Sequence, residues 1–204
     1  NFKIIQKELG KQGSTLKYRD SPVFVDPRDN DLGVRIISPL EKLYLTIKKL
    51  NLKIVENNSY FKKAFLKGIP VEGLMSLQNQ LFGLEINFEK LNAIDFKKGC
   101  YVGQENTARM KLKNKIRRQL MSIKTKKSVK IGDEIKYNDN VIGKILIDKP
   151  YPFALIKLFD PEFSVFKDKM LKINNDNAEI VSWQLLMKIL IGLVKILGIP
   201  VRRI

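Results

Sequence analysis

From residue 116 to residue 181 the chain is a succession of short apolar runs divided by turn residues, and this limits its fold more than any other feature. Residues 134–137 and 141–147 flank Asn138-Asp139-Asn140, the pattern of a β-hairpin. Gly132-Asp133 supplies a turn just before it, and residues 153–158 and 170–173 are further strand candidates. Several strands this short in about 65 residues cannot each bury a face alone, so they predict a small sheet or barrel.

The first half reads differently. Residues 1–35 combine strands and loops: Val23-Phe24-Val25 is a β-type run, residues 26–31 are turn-rich, and residues 32–37 resume a strand. Ser38-Pro39-Leu40-Glu41 predicts a helix start, with Ser38 as N-cap, Pro39 first in the helix and Glu41 completing a capping box. Leu40, Leu43, Tyr44, Ile47 and Leu50 then follow at helical spacing and predict one apolar face. A second helix is expected over 60–67, ended by Gly68 and Pro70. Residues 71–98 show no strong period. The tail at 183–204 is apolar with Lys188, Lys195, Arg202 and Arg203, and is expected to be helical, packed on its own protein or lying on a membrane surface. Its longest apolar stretch, 185–199, is shorter than the ~20 residues a membrane-spanning helix needs. The division expected is an α+β region at 1–115, a β-barrel-like domain at 116–182 and the tail.

Composition narrows the chemistry. The 204 residues include no histidine and one cysteine. Imidazole mechanisms are excluded: no Ser-His-Asp triad, no Cys-His dyad, no histidine-held metal. A single thiol forms no intrachain disulfide, and a thiolate-held cluster or zinc would need ligands from another chain. A lone thiol also suits a reducing compartment. Neither a phosphate-cradling glycine loop nor a dinucleotide fingerprint is present. The net charge is +17, and residues 97–130 hold nine Lys and three Arg against Glu105 alone. That run reads either as an electropositive surface for an anionic ligand or RNA, with Lys111, Lys113 and Lys115 as contacts, or as a solvated lysine-rich face. It lacks the interleaved aromatics of common RNA-binding surfaces.

Lys97-Lys98-Gly99-Cys100-Tyr101-Val102-Gly103-Gln104-Glu105 is the most informative stretch. Two lysines precede Cys100, Arg109 follows it, and a helix over 104–113 would place it near a helix N-terminus. Those neighbours favour a thiolate. The other reading is a small buried hydrophobe. Glu105 and Arg109 stand four apart, the spacing of a helical salt bridge. Asp95 and Glu105 flank the loop without the marks of an acid–base pair.

This string, continued through Asn106 to Arg109, resembles the signature of the YgfZ family of folate-binding proteins, related in fold to the aminomethyltransferase T-protein of the glycine cleavage system. Val25-Asp26-Pro27-Arg28 with Leu32-Gly33-Val34-Arg35 resembles the family's DPR…LG-x-R segment. Gly68-Ile69-Pro70 resembles its GIP turn, residues 91–96 its lead-in to the signature, and Arg117-Arg118-Gln119-Leu120 the start of its C-terminal β domain. The resemblance covers residues 20–181 and begins inside the first half of the family fold. It implies part of a multi-lobed ring closed by a small C-terminal β-barrel-like domain. It also implies a folate-binding accessory factor that supports assembly or maintenance of iron–sulfur enzymes, including tRNA-modifying ones. The implied ligand is tetrahydrofolate or another reduced folate. The implied partners are iron–sulfur assembly proteins or their client enzymes, with tRNA as a further candidate and no DNA. The implied compartment is the bacterial cytoplasm, or the mitochondrial matrix in a eukaryote. Carried over residue by residue, Cys100 is the reactive thiol, Lys98 adds positive charge, and Gln104 and Glu105 cap or orient the loop. Tyr101 and Arg109 contact the ligand. An accessory factor is expected rather than a conventional enzyme; the rival readings are a folate-dependent aminomethyl or one-carbon transferase and a basic tRNA-binding module.

Overall fold

Alternating apolar residues and a tight turn begin the fold. β1 (Thr15–Tyr18) and β2 (Ser21–Val25) join through Arg19-Asp20, both at positive φ, and pair antiparallel. The computed structural model describes residues 14–99, 102–113 and 116–181; the tail and its expected helix lie outside them. β3 (Val34–Ile36) pairs with β2 to complete a three-stranded sheet in the order β1-β2-β3. The strand expected over 32–37 is shorter, because Asp29 accepts a hydrogen bond from the Asp31 N–H and winds Asn30–Leu32 into a 3-10 turn. Gly33, at φ 89°, then turns the chain into β3.

Helix α1 spans Leu40–Leu50. Pro39, not Ser38, occupies its N-cap, and no side chain caps it. The capping-box expectation fails because the Ser38 hydroxyl is engaged elsewhere, accepting a 2.8 Å hydrogen bond from Ser21 Oγ. The expected apolar face is only partly used. Thr46 is buried, and Leu43, Ile47 and Leu50 are half-buried, while Leu40 and Tyr44 stay 81% and 64% exposed. The helix is thus turned so that the edge of its apolar stripe, rather than its middle, faces the body.

Helix α2 spans Asn57–Leu66, starting before the expected residue 60. Its end follows the glycine rule. Gly68 takes φ 70°, its N–H reaches Phe65 O, and the Ile69 N–H reaches Ala64 O, satisfying the last carbonyls before Pro70. Residues 71–98 hold one 3-10 turn, Met75–Leu77, and a series of turns in which Asn79, Asn87 and Asn92 adopt positive φ. That explains the missing period.

The expectation of a small barrel is met. β4 (Arg118–Thr125), β5 (Glu134–Tyr137), β6 (Asn140–Ile147), β7 (Phe153–Lys157), β8 (Leu171–Ile173) and β9 (Asp176–Ile180) close in the order β4-β7-β6-β5-β8-β9. Asn138-Asp139 and Asn174-Asn175 make two-residue hairpin turns with positive φ at both positions. Inward residues such as Ile123, Ile135, Ile145, Ile156, Leu171 and Ile173 fill the barrel, and Phe166, fully buried, joins them from the short helix Phe163–Phe166. A second cluster on the barrel's outer face packs Phe65 and Leu77 against Leu120, Ile147 and Phe153. Phe65 stacks on Tyr151 at 4.9 Å. Buried Glu85 completes this junction: its carboxylate accepts from Arg118 Nε at 2.9 Å and its carbonyl from the Leu120 N–H. The chain is therefore a mixed α/β molecule in which α2 and the Met75–Leu77 turn pack on a closed six-stranded barrel.

Among the described residues no helix is long and apolar enough to cross a membrane.

Candidate functional site

Two local arrangements meet at the segment that leads into the signature loop. The first starts at the end of β2. Phe24 lies opposite Arg35 across the β2–β3 pair, so Asp26, two residues further on, shares the face of Arg35. The Asp26 carboxylate is 1% exposed. It accepts from Arg28 Nε at 3.0 Å, Arg28 Nη2 at 2.9 Å, the Arg28 N–H at 3.0 Å and Arg35 Nε at 2.8 Å. Tyr60 from α2 closes the cluster, its hydroxyl accepting from Arg28 and from Arg35 Nη2 at 3.0 Å. Burial alone would push the Asp26 carboxyl up, but the hydrogen bonds from Arg28 and Arg35 outweigh it and hold the group down at about 2. The motif residues are legible in the sequence; their convergence with Tyr60 is not.

Asn92 connects this cluster to the loop. Held at φ 56°, it donates from Nδ2 to Pro27 O at 2.7 Å. Asp95 Oδ1 then accepts from the Lys97 N–H at 2.8 Å, bending the chain into the signature. Residues 97–99 and 102–103 are exposed, Val102 completely. Cys100 and Tyr101 lie outside the described residues.

Helix α3 follows at Gln104–Leu112, one residue shorter than expected. Its cap position is Gly103, which has no side chain to offer, so Gln104 and Glu105 are its first helical residues rather than its cap. Glu105 forms the expected ion pair with Arg109 one turn on, and its charge suits the helix N-terminus. Arg109 is thereby engaged along its own helix, and Lys98 is exposed just ahead of the loop. No residue of α3 is buried. Lys111 holds it to the body, with Nζ 2.6 Å and 2.8 Å from the Glu89 carboxylate oxygens and 5.8 Å from the centre of the Phe96 ring.

The two glycines of the loop differ in what they contribute. Gly103 sits at φ 84°, where an L side chain is strained, whereas a Cβ at either Gly99 or Gly103 would meet nothing within 4 Å. Gly103→Ala is expected to speed amide exchange over 104–112 about fivefold and Gly99→Ala to change it by less than about twofold.

The basic run is partly neutralised. Arg109, Lys111, Arg118 and Lys127 pair with Glu105, Glu89, Glu85 and Asp176. Three of those acids come from outside the run, which sequence distance hides. Asp95 and Glu105, the carboxylates flanking the loop, are both committed to local bonds. Among the described residues no group of three or more acidic, cysteine or histidine side chains could hold a metal ion.

A reduced folate needs an aromatic slot for its pterin and cations for its glutamate tail. The cavity lined by Phe61, Phe65 and Tyr151 holds about 10 Å³, too little for a ring system. A groove of about 840 Å³ on the barrel is lined by Asp133, Glu134 and Asp139 against Lys136 and Lys172, the wrong balance for an anionic tail. Neither cavity fits a reduced folate.

No protein-family model matches the sequence. The chain is similar to the mitochondrial iron–sulfur cluster assembly factor IBA57 homologue of Dictyostelium discoideum, 35% identical over 118 residues, covering 55% of this chain and 29% of that protein. The corresponding Neurospora crassa protein is 32% identical over 145 residues, 67% of this chain and 28% of the relative. The tRNA-modifying protein YgfZ of Buchnera aphidicola is 30% identical over 126 residues, 55% of this chain and 39% of the relative. The matched part of this chain thus spans between 28% and 39% of the length of these relatives.

Proposed function

We propose that this chain, which belongs by sequence with the YgfZ/IBA57 family, acts as part of an accessory factor for iron–sulfur cluster assembly. The observation that carries the reading is its similarity to assembly factors from separate organisms, over 118 and 145 residues in two of them. The structure adds support of its own. Residues 97–99 and 102–103 are exposed, and the loop is framed by the Asn92 bond to Pro27 and by α3. A single thiol fits transient participation in cluster chemistry beside a partner's ligands, since one chain cannot enclose a cluster through cysteines. Lys98, Gln104 and Glu105 shape and charge that loop in this reading, and Tyr101 and Arg109 are the residues that the family resemblance assigns to the folate.

The partners proposed are iron–sulfur assembly proteins or cluster-bearing client enzymes, in the mitochondrial matrix of a eukaryote or the cytoplasm of a bacterium. The barrel at 116–182 serves as the C-terminal domain of a larger multi-lobed ring. A reduced folate is what the family resemblance implies, and the role proposed here does not depend on it. The transferase reading ranks below this one because the Cys100 signature resembles that of the YgfZ branch and a shared fold does not by itself give function.

In cells lacking their own YgfZ-type or IBA57-type protein, expression of this protein is expected to restore the activity of a cluster-dependent enzyme at least several-fold. Restoration no greater than an empty vector gives would refute the reading.

A further inference from the structure

Helix α3 presents a physical problem. It carries the second half of the signature, yet none of its residues is buried and its cap has no side chain. A nine-residue helix of this kind is not stable by itself in water. Something outside the helix must hold it against the body. The Glu105–Arg109 pair cannot, because both partners belong to α3. Lys111 can, because its two contacts lie on the other side of the loop.

We propose that Lys111 is a positioning residue that closes the signature loop. Its ammonium bonds both carboxylate oxygens of Glu89 and faces the Phe96 ring. Glu89 and Phe96 belong to the segment that enters the loop, and Lys111 to the helix that leaves it. One side chain therefore ties the entry to the exit across residues 97–103. The entry is itself fixed through Asn92 to Pro27, next to the Asp26 cluster, so the tie is to a rigid base. Lysine suits this position because its long stem crosses the gap and its compact ammonium satisfies a carboxylate and a ring face together. This gives Lys111 a role other than contact with an anionic ligand, and it rests on the reading of the loop as the working part of the protein.

Cys100 is the only cysteine, so thiol alkylation reports the loop alone, independently of any assembly activity. The Glu89–Lys111 pair is partly exposed, and together with the ring contact it is expected to favour attached α3 by up to about tenfold. Lys111→Met in the full chain is expected to speed amide exchange over 104–112 about five- to tenfold and to change the iodoacetamide rate at Cys100 by a similar factor, with barrel melting unaltered. Lys111→Arg is expected to restore both rates, and Glu89→Gln to move both in the same direction by about two- to threefold. Parent-like exchange and alkylation in Lys111→Met, or failure of Lys111→Arg to restore them, would overturn the proposal. Should Lys111→Met not fold, Glu89→Gln decides it by the same two rates. A loss of cluster-enzyme rescue with both rates unchanged would count against Lys111 as a positioning residue while leaving the assembly reading intact.

Discussion

Replacing Asp26 with alanine is expected to lower the stability of the protein by about 3 kcal/mol, a fall of about 6–12 °C in melting temperature for a chain of this size. The carboxylate is buried and takes four hydrogen bonds from two arginines. Its removal leaves the guanidiniums of Arg28 and Arg35 facing each other around Tyr60 with no negative charge between them. Both arginines keep some solvent contact, with side chains 22% and 45% exposed, which places the cost at the lower end of the range for a broken buried pair. The pH dependence carries a sign that checks the mechanism. The folded carboxyl sits at about 2 against 3.8 when unperturbed. A depressed value means stability that is present above about pH 4 and lost as pH falls toward 2, amounting to about 2 kcal/mol. Urea midpoints measured between pH 5 and pH 2 should show that loss in the parent and its absence in Asp26→Ala. An identical acid profile in both proteins would remove the cluster from the account.

Much of the second half was legible in the sequence because its signals are local. The hairpin around Asn138-Asp139 follows from turn residues that tolerate positive φ between two apolar runs. The end of α2 follows from Gly68 and Pro70 in the same way. β9 was not legible: Asp176-Asn177-Ala178-Glu179-Ile180 offers few apolar residues, and its place comes from pairing with β4 and β8. Ser38 shows the opposite failure, a good local capping pattern overridden when Ser21, seventeen residues away, supplied a competing hydrogen bond. The rotation of α1 has the same origin, since which part of an apolar stripe is covered depends on what packs there.

The candidate site divides along the same line. The Glu105–Arg109 pair lies within one helical turn and could be read from spacing. The Asp26–Arg28–Arg35–Tyr60 cluster needs strand register plus a helix 34 residues on, and the Glu89–Lys111 tie spans 22 residues with a loop between. The charge run around the loop was visible, but the acids that answer it came from Glu85, Glu89 and Asp176, far enough away that composition counted the cations as free.

The second large effect concerns Cys100, on which the central claim rests. Residues 97–99 and 102–103 of its loop are exposed, so removing one sulfur there is expected to take little from the core. Cys100→Ser is therefore expected to shift the melting temperature by less than about 2 °C. Its effect on function should be much larger, because the chain has no second thiol to take over and no histidine to substitute as a ligand. The most direct measurement is the activity of a cluster-dependent enzyme in cells whose own assembly factor has been removed, comparing the parent with Cys100→Ser at equal protein level. Restoration by the parent and loss of at least about nine-tenths of it in Cys100→Ser, on the scale at which removal of an essential reactive group acts, is the predicted result. Full restoration by Cys100→Ser, or a collapse in its melting temperature with activity retained per folded molecule, would contradict the account and return the thiol to the status of a packed core residue.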